Sequence, residues 1–213
     1  MSPRADGAFP PEPAAGLVHP RDLNAAAKDA LREHARGPMP EAAIAVLTVA
    51  VAFGSHAALA QGGGKPTDPQ IAHIAYTAGQ IDLKAAELAR KQSKSKEVRA
   101  FANDMLRDHK AVNAQVLALV KKLNVKPEDN ETSRSLAQQA AAKEKELRTL
   151  KGAAFDRAYA QNEVAFHQTV NGALQSTLIP SAQNAELKDL LSTGLRIFQG
   201  HQQHAEQLAQ GLR

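Results

Sequence analysis

Four long stretches of this chain repeat an apolar residue every three or four positions and none alternates every two, which confines the fold to helices packed on helices. The first carries Ile71, Ile74, Ala78, Ile81, Ala85 and Leu88, and the second Val98, Phe101, Met105, Val112, Val116, Leu119 and Leu123. Phe155, Tyr159, Phe166, Val170 and Leu174 mark the next, and Leu187, Leu190, Leu191, Phe198, Ala205 and Leu208 the last. β-Branched residues are sparse, so no sheet is expected.

Punctuation residues set the ends. Asp68-Pro69 predicts an N-cap followed by Pro at the first helical position, giving a helix over about 68–92. Ser95 caps the second helix, which Asn124 and Pro127 end. The segment from about Ser133 to Leu150, mostly Ala, Gln, Lys and Glu, predicts a weaker helix stopping at Gly152. The next helix begins near Ala153 and is broken by Pro180, and the last starts near Asn184.

Helices of about 25 residues are rods near 40 Å long that can bury their stripes only against one another. The weaker helix, roughly 25 Å long, is far more chain than an up-down hairpin needs. It can carry the chain back along the bundle and leave its neighbours parallel. The expected fold is therefore all-α, a ferritin-like four-helix bundle with a short extra helix in the crossover between the second and third long helices.

The bundle occupies residues 68–213, preceded by a Gly62-Gly63-Gly64 linker over 61–67. Residues 39–60 read as a signal peptide: an apolar run from Ala42 to Phe53, too short to span a membrane, is followed by the small-residue cleavage pattern Ala58-Leu59-Ala60. Residues 1–38, rich in Pro, Ala and charge, read as a disordered leader or as sequence upstream of a true start at Met39. Cleavage near Ala60 leaves a chain of about 150 residues destined for the periplasm or the medium, enough for one buried core. It has no cysteine, so packing alone must hold it in an oxidising compartment and thiol chemistry is excluded.

The excess of basic residues is mild and concentrated in RKQSKSKEVR, Arg90 to Arg99, which reads first as a solvated interhelical turn and second as a weak contact for an anionic envelope surface. No aromatic residues interleave these cations, and nucleic acid is not an expected partner.

Ionisable residues interrupt the buried stripes. His109 lies four residues after Met105 and three before Val112; His201 lies three after Phe198 and four before Ala205. Glu163 falls within the stripe of its helix and His167 at its flank, while Asp82 flanks the first stripe. Together Asp82, His109, Glu163, His167 and His201 form a candidate ligand set for a transition-metal ion, with His204 and Asp108 as supporting positions. The Glu-x-x-His pattern of di-metal carboxylate bundles is absent, and His201-x-x-His204 is a weak motif. Buried histidines also join helices through hydrogen bonds, and that structural role is the reading the sequence favours. Asp156 and Tyr159 in FDRAY read as capping and packing residues. No nucleophile with a paired base, phosphate loop or helical HExxH is present, so hydrolase and nucleotide readings have little support and a binding role is expected ahead of an enzymatic one.

TAGQIDLKAAELA, VRAFANDMLRDHKAVN, FDRAYAQNEVAFHQTV and IFQGHQQHAEQL, taken in order, resemble the exported bacterial family of predicted outer-membrane proteins with the domain of unknown function 4142. The likeness covers about 70 to 210 and implies export and a ferritin-like helical bundle. His109, His167 and His201 fall where the family usually has His; Asp82 stands where it typically has Glu. The family implies no activity, and nothing here has the pattern of a membrane barrel. Two functions follow as expectations: an envelope binding or stress-accessory protein whose polar core is structural, or a metal-binding or metal-dependent redox protein. Imidazole nitrogens able to reach within about 2.0 to 2.2 Å of a common point would separate them.

Overall fold

The computed structural model describes residues 64–212; the expected leader, the expected signal peptide and its expected cleavage near Ala60 lie outside them. Five helices follow in order: α1 (Asp68–Gln92), α2 (Lys96–Lys122), α3 (Glu131–Thr149), α4 (Gly152–Ala173) and α5 (Ala185–Gly211). There is no strand among the described residues, and no helix there is long and apolar enough to cross a membrane.

Side chains satisfy orphan N–H groups where the chain enters α2, α3 and α5. Ser95 Oγ accepts from Val98 N at 3.2 Å, Asn130 Oδ1 from Ser133 N at 3.0 Å and Asn184 Oδ1 from Leu187 N at 3.0 Å. At α1 the expected cap shifts by one residue. Thr67 is the N-cap, its N–H donating to Gln70 Oε1 at 3.1 Å, and Asp68 is already helical. The Asp68 carboxylate reaches across to accept from the Gln183 and Asn184 N–H groups, both at 2.8 Å, where two charge-assisted bonds outweigh one local cap.

Nor does Pro180 end α4 as expected. The helix widens first into a π turn over Leu174–Leu178, then completes a last turn over Ile179–Ser181, and leaves helical geometry only at Ala182. Proline removes an N–H from the ladder, but here it enters at the start of a new short turn, where that donor is dispensable.

The crossover is visible in its tethers. Asn130 Nδ2 donates to Gln70 O at 3.3 Å and Ser133 Oγ meets His73 Nδ1 at 2.9 Å, fixing the start of α3 beside the start of α1. At the other end Gln92 Nε2 donates to Leu147 O at 3.1 Å and also to Leu150 O. α3 thus runs parallel to α1, and α4 sets off in the same direction as α2. α2 packs between α1 and α5, and α4 on α5 and α1, so the two parallel helices face each other across the core. Arg90–Arg99 spans the end of α1, the connection at 93–95 and the first turn of α2, where Arg99 Nη1 donates to Arg90 O at 2.7 Å.

Apolar burial divides into two clusters. One, where α1 ends and α2 begins, gathers Leu88, Phe101, Met105, Leu147, Phe155, Tyr159 and Leu208; the other, at the opposite end, gathers Ile71, Ile74, Val112, Leu174, Leu178, Leu191 and Phe198. A buried polar layer lies between them.

Candidate metal centre

Each of the four long helices places at least one member of that layer, α4 placing two, by continuing its buried spacing with a polar residue. Asp82 follows Ala78 by one turn on α1, His109 follows Met105 on α2, His167 follows Glu163 on α4, and His201 precedes Ala205 on α5. None of the five exposes more than 3% of its surface. The ring centroids of His109, His167 and His201 are 5.3, 5.4 and 5.8 Å apart, so the five sequence candidates converge on one interior point.

Acceptor-only partners fix the tautomers of two rings. His201 Nε2 lies 2.9 Å from Asp108 Oδ2, and a carboxylate can only accept, so Nε2 carries the proton and Nδ1 the lone pair. His167 Nδ1 lies 2.9 Å from the Glu163 backbone carbonyl, which likewise only accepts, so its lone pair is on Nε2. Both lone-pair nitrogens are buried without a hydrogen-bond partner, as are both nitrogens of His109. Behind His201 stands the expected supporting residue: Asp108 is itself held by Arg107 Nε and Nη2 at 2.8 and 3.1 Å.

The spacing suits a small ion. Asp82 Oδ2 lies 3.1 Å from His109 Nε2 and 3.8 Å from His167 Nε2, bracketing the roughly 3.4 Å between neighbouring donors of a tetrahedral site with bonds near 2.1 Å. The 3.1 Å contact is not an aligned hydrogen bond, because His109 Nε2 remains without a partner. One donor from each of the three histidines lies within 4.8 Å of the others. Even at that outer limit, each would need to move inward by only about 0.7 Å to reach an ordinary imidazole–metal distance. Asp82, Glu163 and His167 form a second such triad, but His167 has one lone pair to give, so the two triads together have donors for one ion and not for two.

The charge balance is set by burial. Burial drives the Glu163 carboxyl well above the usual range, and the Asp82 charge and a hydrogen bond with Asp82 add to it. Asp82 is also pushed up by burial, but its histidine neighbours and the hydrogen bond from Glu163 outweigh this and hold it below its ordinary value. The pair therefore keeps one proton, on Glu163, and one negative charge, on Asp82. Burial lowers His109, partly opposed by Asp82, and lowers His201 to about 4, so these rings are neutral donors at neutral pH. Asp108 is pushed up by burial but brought down to about 2 by its hydrogen bonds from His201 and Arg107.

Some expectations need revision. His204 does not join the cluster as a partner of His201; it turns toward Phe101, its ring centroid 5.0 Å away and nearly perpendicular. Asp156 caps nothing, since the N-cap of α4 is Lys151 and Asp156 is buried inside the helix. Tyr159 does pack, against Phe101 and Phe155 with centroids 6.1 Å away in both cases, yet its buried hydroxyl has no hydrogen-bond partner. Phe198 stacks on His109 at 4.7 Å with the rings 8° from parallel, a role its apolar stripe did not reveal. Asn113 also escaped notice: it is buried one turn after His109, against the bare backbone of Gly79.

A family model described as a domain of unknown function, DUF4142, matches residues 53–208. The chain belongs to the DUF4142 family. No curated protein matches it. Among solved structures, CopM in the Cu(II)-bound form is similar at a TM-score of 0.54, covering 70% of this DUF4142 chain and 100% of CopM. The two sequences are 16% identical, so the likeness is one of fold.

Proposed function

We propose that this DUF4142 protein binds one transition-metal ion inside its bundle, held by His109, His167 and His201 with Asp82 as the fourth donor. One observation carries the reading: three buried imidazoles converge with lone pairs that no protein group uses. A purely structural histidine layer would spend those nitrogens on hydrogen bonds, since each buried polar group left unpaired costs about 1 to 3 kcal/mol.

The donor set selects the ion. Three neutral imidazoles and one carboxylate, without thiolate, suit Cu(II) or Zn(II), and Cu(II) stands highest in the affinity order. CopM, similar in fold, was solved with Cu(II), which makes that ion the first to try. When bound, the ion would supply a positive charge offsetting Asp82. Glu163 would keep its proton and hold Asp82 in place, and Asp108 would orient His201. Four protein donors in a site closed to solvent leave no open position, which favours holding a metal over catalysis. The Ala42–Phe53 run and the Ala58-Leu59-Ala60 pattern support a role in the cell envelope.

A structural reading has its own support in the His109–Phe198 stack and the Arg107–Asp108–His201 chain. Elemental analysis of protein recovered from the envelope, followed by titration with Cu(II), Zn(II) and Fe(II), separates the two. The expected result is close to one ion per chain and a raised melting temperature, both lost in His167→Ala. Sub-stoichiometric metal with no thermal shift would overturn the proposal, and His109→Ala would then cost stability alone.

A further inference from the structure

Beyond the polar layer, toward the start of α1, the bundle is hollow. A cavity of about 690 Å³ lies there, its inner wall formed by Ile74, Val112, Val116, Leu174, Leu191 and Phe198. Protein interiors are packed nearly as densely as organic crystals, so a space this large is not an ordinary packing defect. It falls within the size range of small-molecule sites.

The sequence keeps the space open. Ala75, Ala78, Ala173 and Gly194 line it, where larger side chains would fill it. Gly194 sits inside α5, where glycine is costly, and nothing local requires it: an added Cβ would meet only Phe198, at an ordinary 3.5 Å. The wall is also where α4 departs from α-helical geometry, with Leu174, Thr177 and Leu178 of the π turn facing the cavity. Such turns are frequent at functional sites.

Polarity changes from floor to rim. The rim includes Lys65 and Gln70 from around the start of α1, and Asp129, Asn130, Glu131 and Arg134 from the entry to α3, which the Asn130–Gln70 and Ser133–His73 hydrogen bonds pin over the opening. These residues bring two cations and two anions. A ligand with an anionic head would meet Asp129 and Glu131, and a cationic one Lys65 and Arg134, whereas a neutral or zwitterionic head meets no net repulsion.

We propose that this cavity binds a single-chain amphiphile, its hydrocarbon chain against the Leu174, Leu191 and Phe198 wall and a neutral or zwitterionic head at the α3 rim. The site is separate from the proposed metal donors, although Phe198 both lines it and stacks on His109. It does not depend on the metal reading.

Fluorescence titration of the purified chain with N-phenyl-1-naphthylamine, an uncharged probe that brightens in apolar surroundings, tests this. Lysophosphatidylcholine below its micellar concentration should displace the probe, glycerophosphocholine, the same head without a chain, should not, and an alkyl sulfate of equal chain length should compete more weakly. Gly194→Leu and Ala173→Phe, which fill the space from two different helices, should each weaken probe binding roughly tenfold or more while keeping the helical circular-dichroism spectrum. Probe binding unchanged in a folded filled variant, no binding to the parent chain, or equal displacement by the chainless head would overturn the proposal. The parent displacement series decides the matter even if a filled variant fails to fold.

Discussion

The two ends of the bundle are built from the same helices and packed in opposite ways. Where α1 ends, Phe101 packs edge-on to Tyr159 and to His204, and Phe155 stacks in parallel on Tyr159, with no exposed surface on Phe101, Phe155 or Tyr159. Where α1 begins, leucines and Phe198 surround a cavity. The difference lies in side-chain size and backbone regularity: aromatic residues on three helices fill one end, and Ala, Gly and a π turn leave the other open. A closed end can hold the polar layer rigid while an open end admits a ligand.

The largest test compares equivalent truncations. Phe101→Ala removes a fully buried ring from the closed end and is expected to cost about 3 to 5 kcal/mol in denaturant unfolding. Leu191 already borders open space, so its side chain is packed on fewer sides, and Leu191→Ala is expected to cost about 2 kcal/mol, the low end for such a change. Equal losses at the two sites would mean that the open end is packed as tightly as the closed one.

Acid probes the layer between them. An unfolded histidine titrates near 6.5, whereas His201 in the folded metal-free protein titrates at about 4. Between those values the unfolded chain binds a proton that the native protein excludes, so stability falls as pH drops from 6.5 to 4, by about 3 kcal/mol in total. Asp108 acts in the next window. Its folded value of about 2 lies below the unfolded one, so its contribution is present above about 4 and is lost as pH falls toward 2. Unfolding followed across pH in His201→Gln should show a shallower first decline, the remainder coming from His109, which burial also lowers; an unchanged profile would remove His201 as a source.

Gly79→Ala tests the closest approach of α1 and α2. A Cβ there would sit 2.2 Å from Asn113 Oδ1, so the helices or the Asn113 side chain must shift, at an expected cost of about 1 to 3 kcal/mol. A pairing with Asn113→Ala should recover much of that loss, and a double mutant no more stable than Gly79→Ala would show that the clash lies elsewhere.

Periodicity carried most of this fold because helical burial is local. Ser95 was readable as a cap and Asn184 as the start of the last helix, and the length of the α3 segment pointed to the crossover, since each signal lies within a few residues of its effect. The π turn and the second role of Asp68 were not readable, because the Asp68 carboxylate finds its N–H groups more than a hundred positions away. For the site, helical phase placed His109, Glu163 and His201 within the buried stripes and Asp82 and His167 at their flanks, and the structure brings all five together. What phase could not supply was rotation about the side-chain bonds: it put His204 at the flank of the last stripe as a supporting position, and that ring turns to Phe101, whereas the ring of His201 faces His109 and His167. Small residues were equally silent, since Ala75, Ala78 and Gly194 signal a cavity only once the opposite wall is known.

The smallest expected effect concerns the rim of the open end. Ser133 is buried, donates to Asn130 O at 2.9 Å, accepts from Asn130 N at 3.2 Å and meets His73 Nδ1 at 2.9 Å, so it joins the first turn of α3 to α1. Ser133→Ala removes these bonds without changing the apolar core and should lower global stability by only about 1 kcal/mol. Its local effect should be larger. With the tether gone, amide hydrogen exchange at Arg134, Ser135 and Leu136 should quicken, while amides near Phe101 in the closed end keep their protection. If exchange instead quickened equally at both ends, the first turn of α3 would be part of one cooperative core and not a separately opening rim.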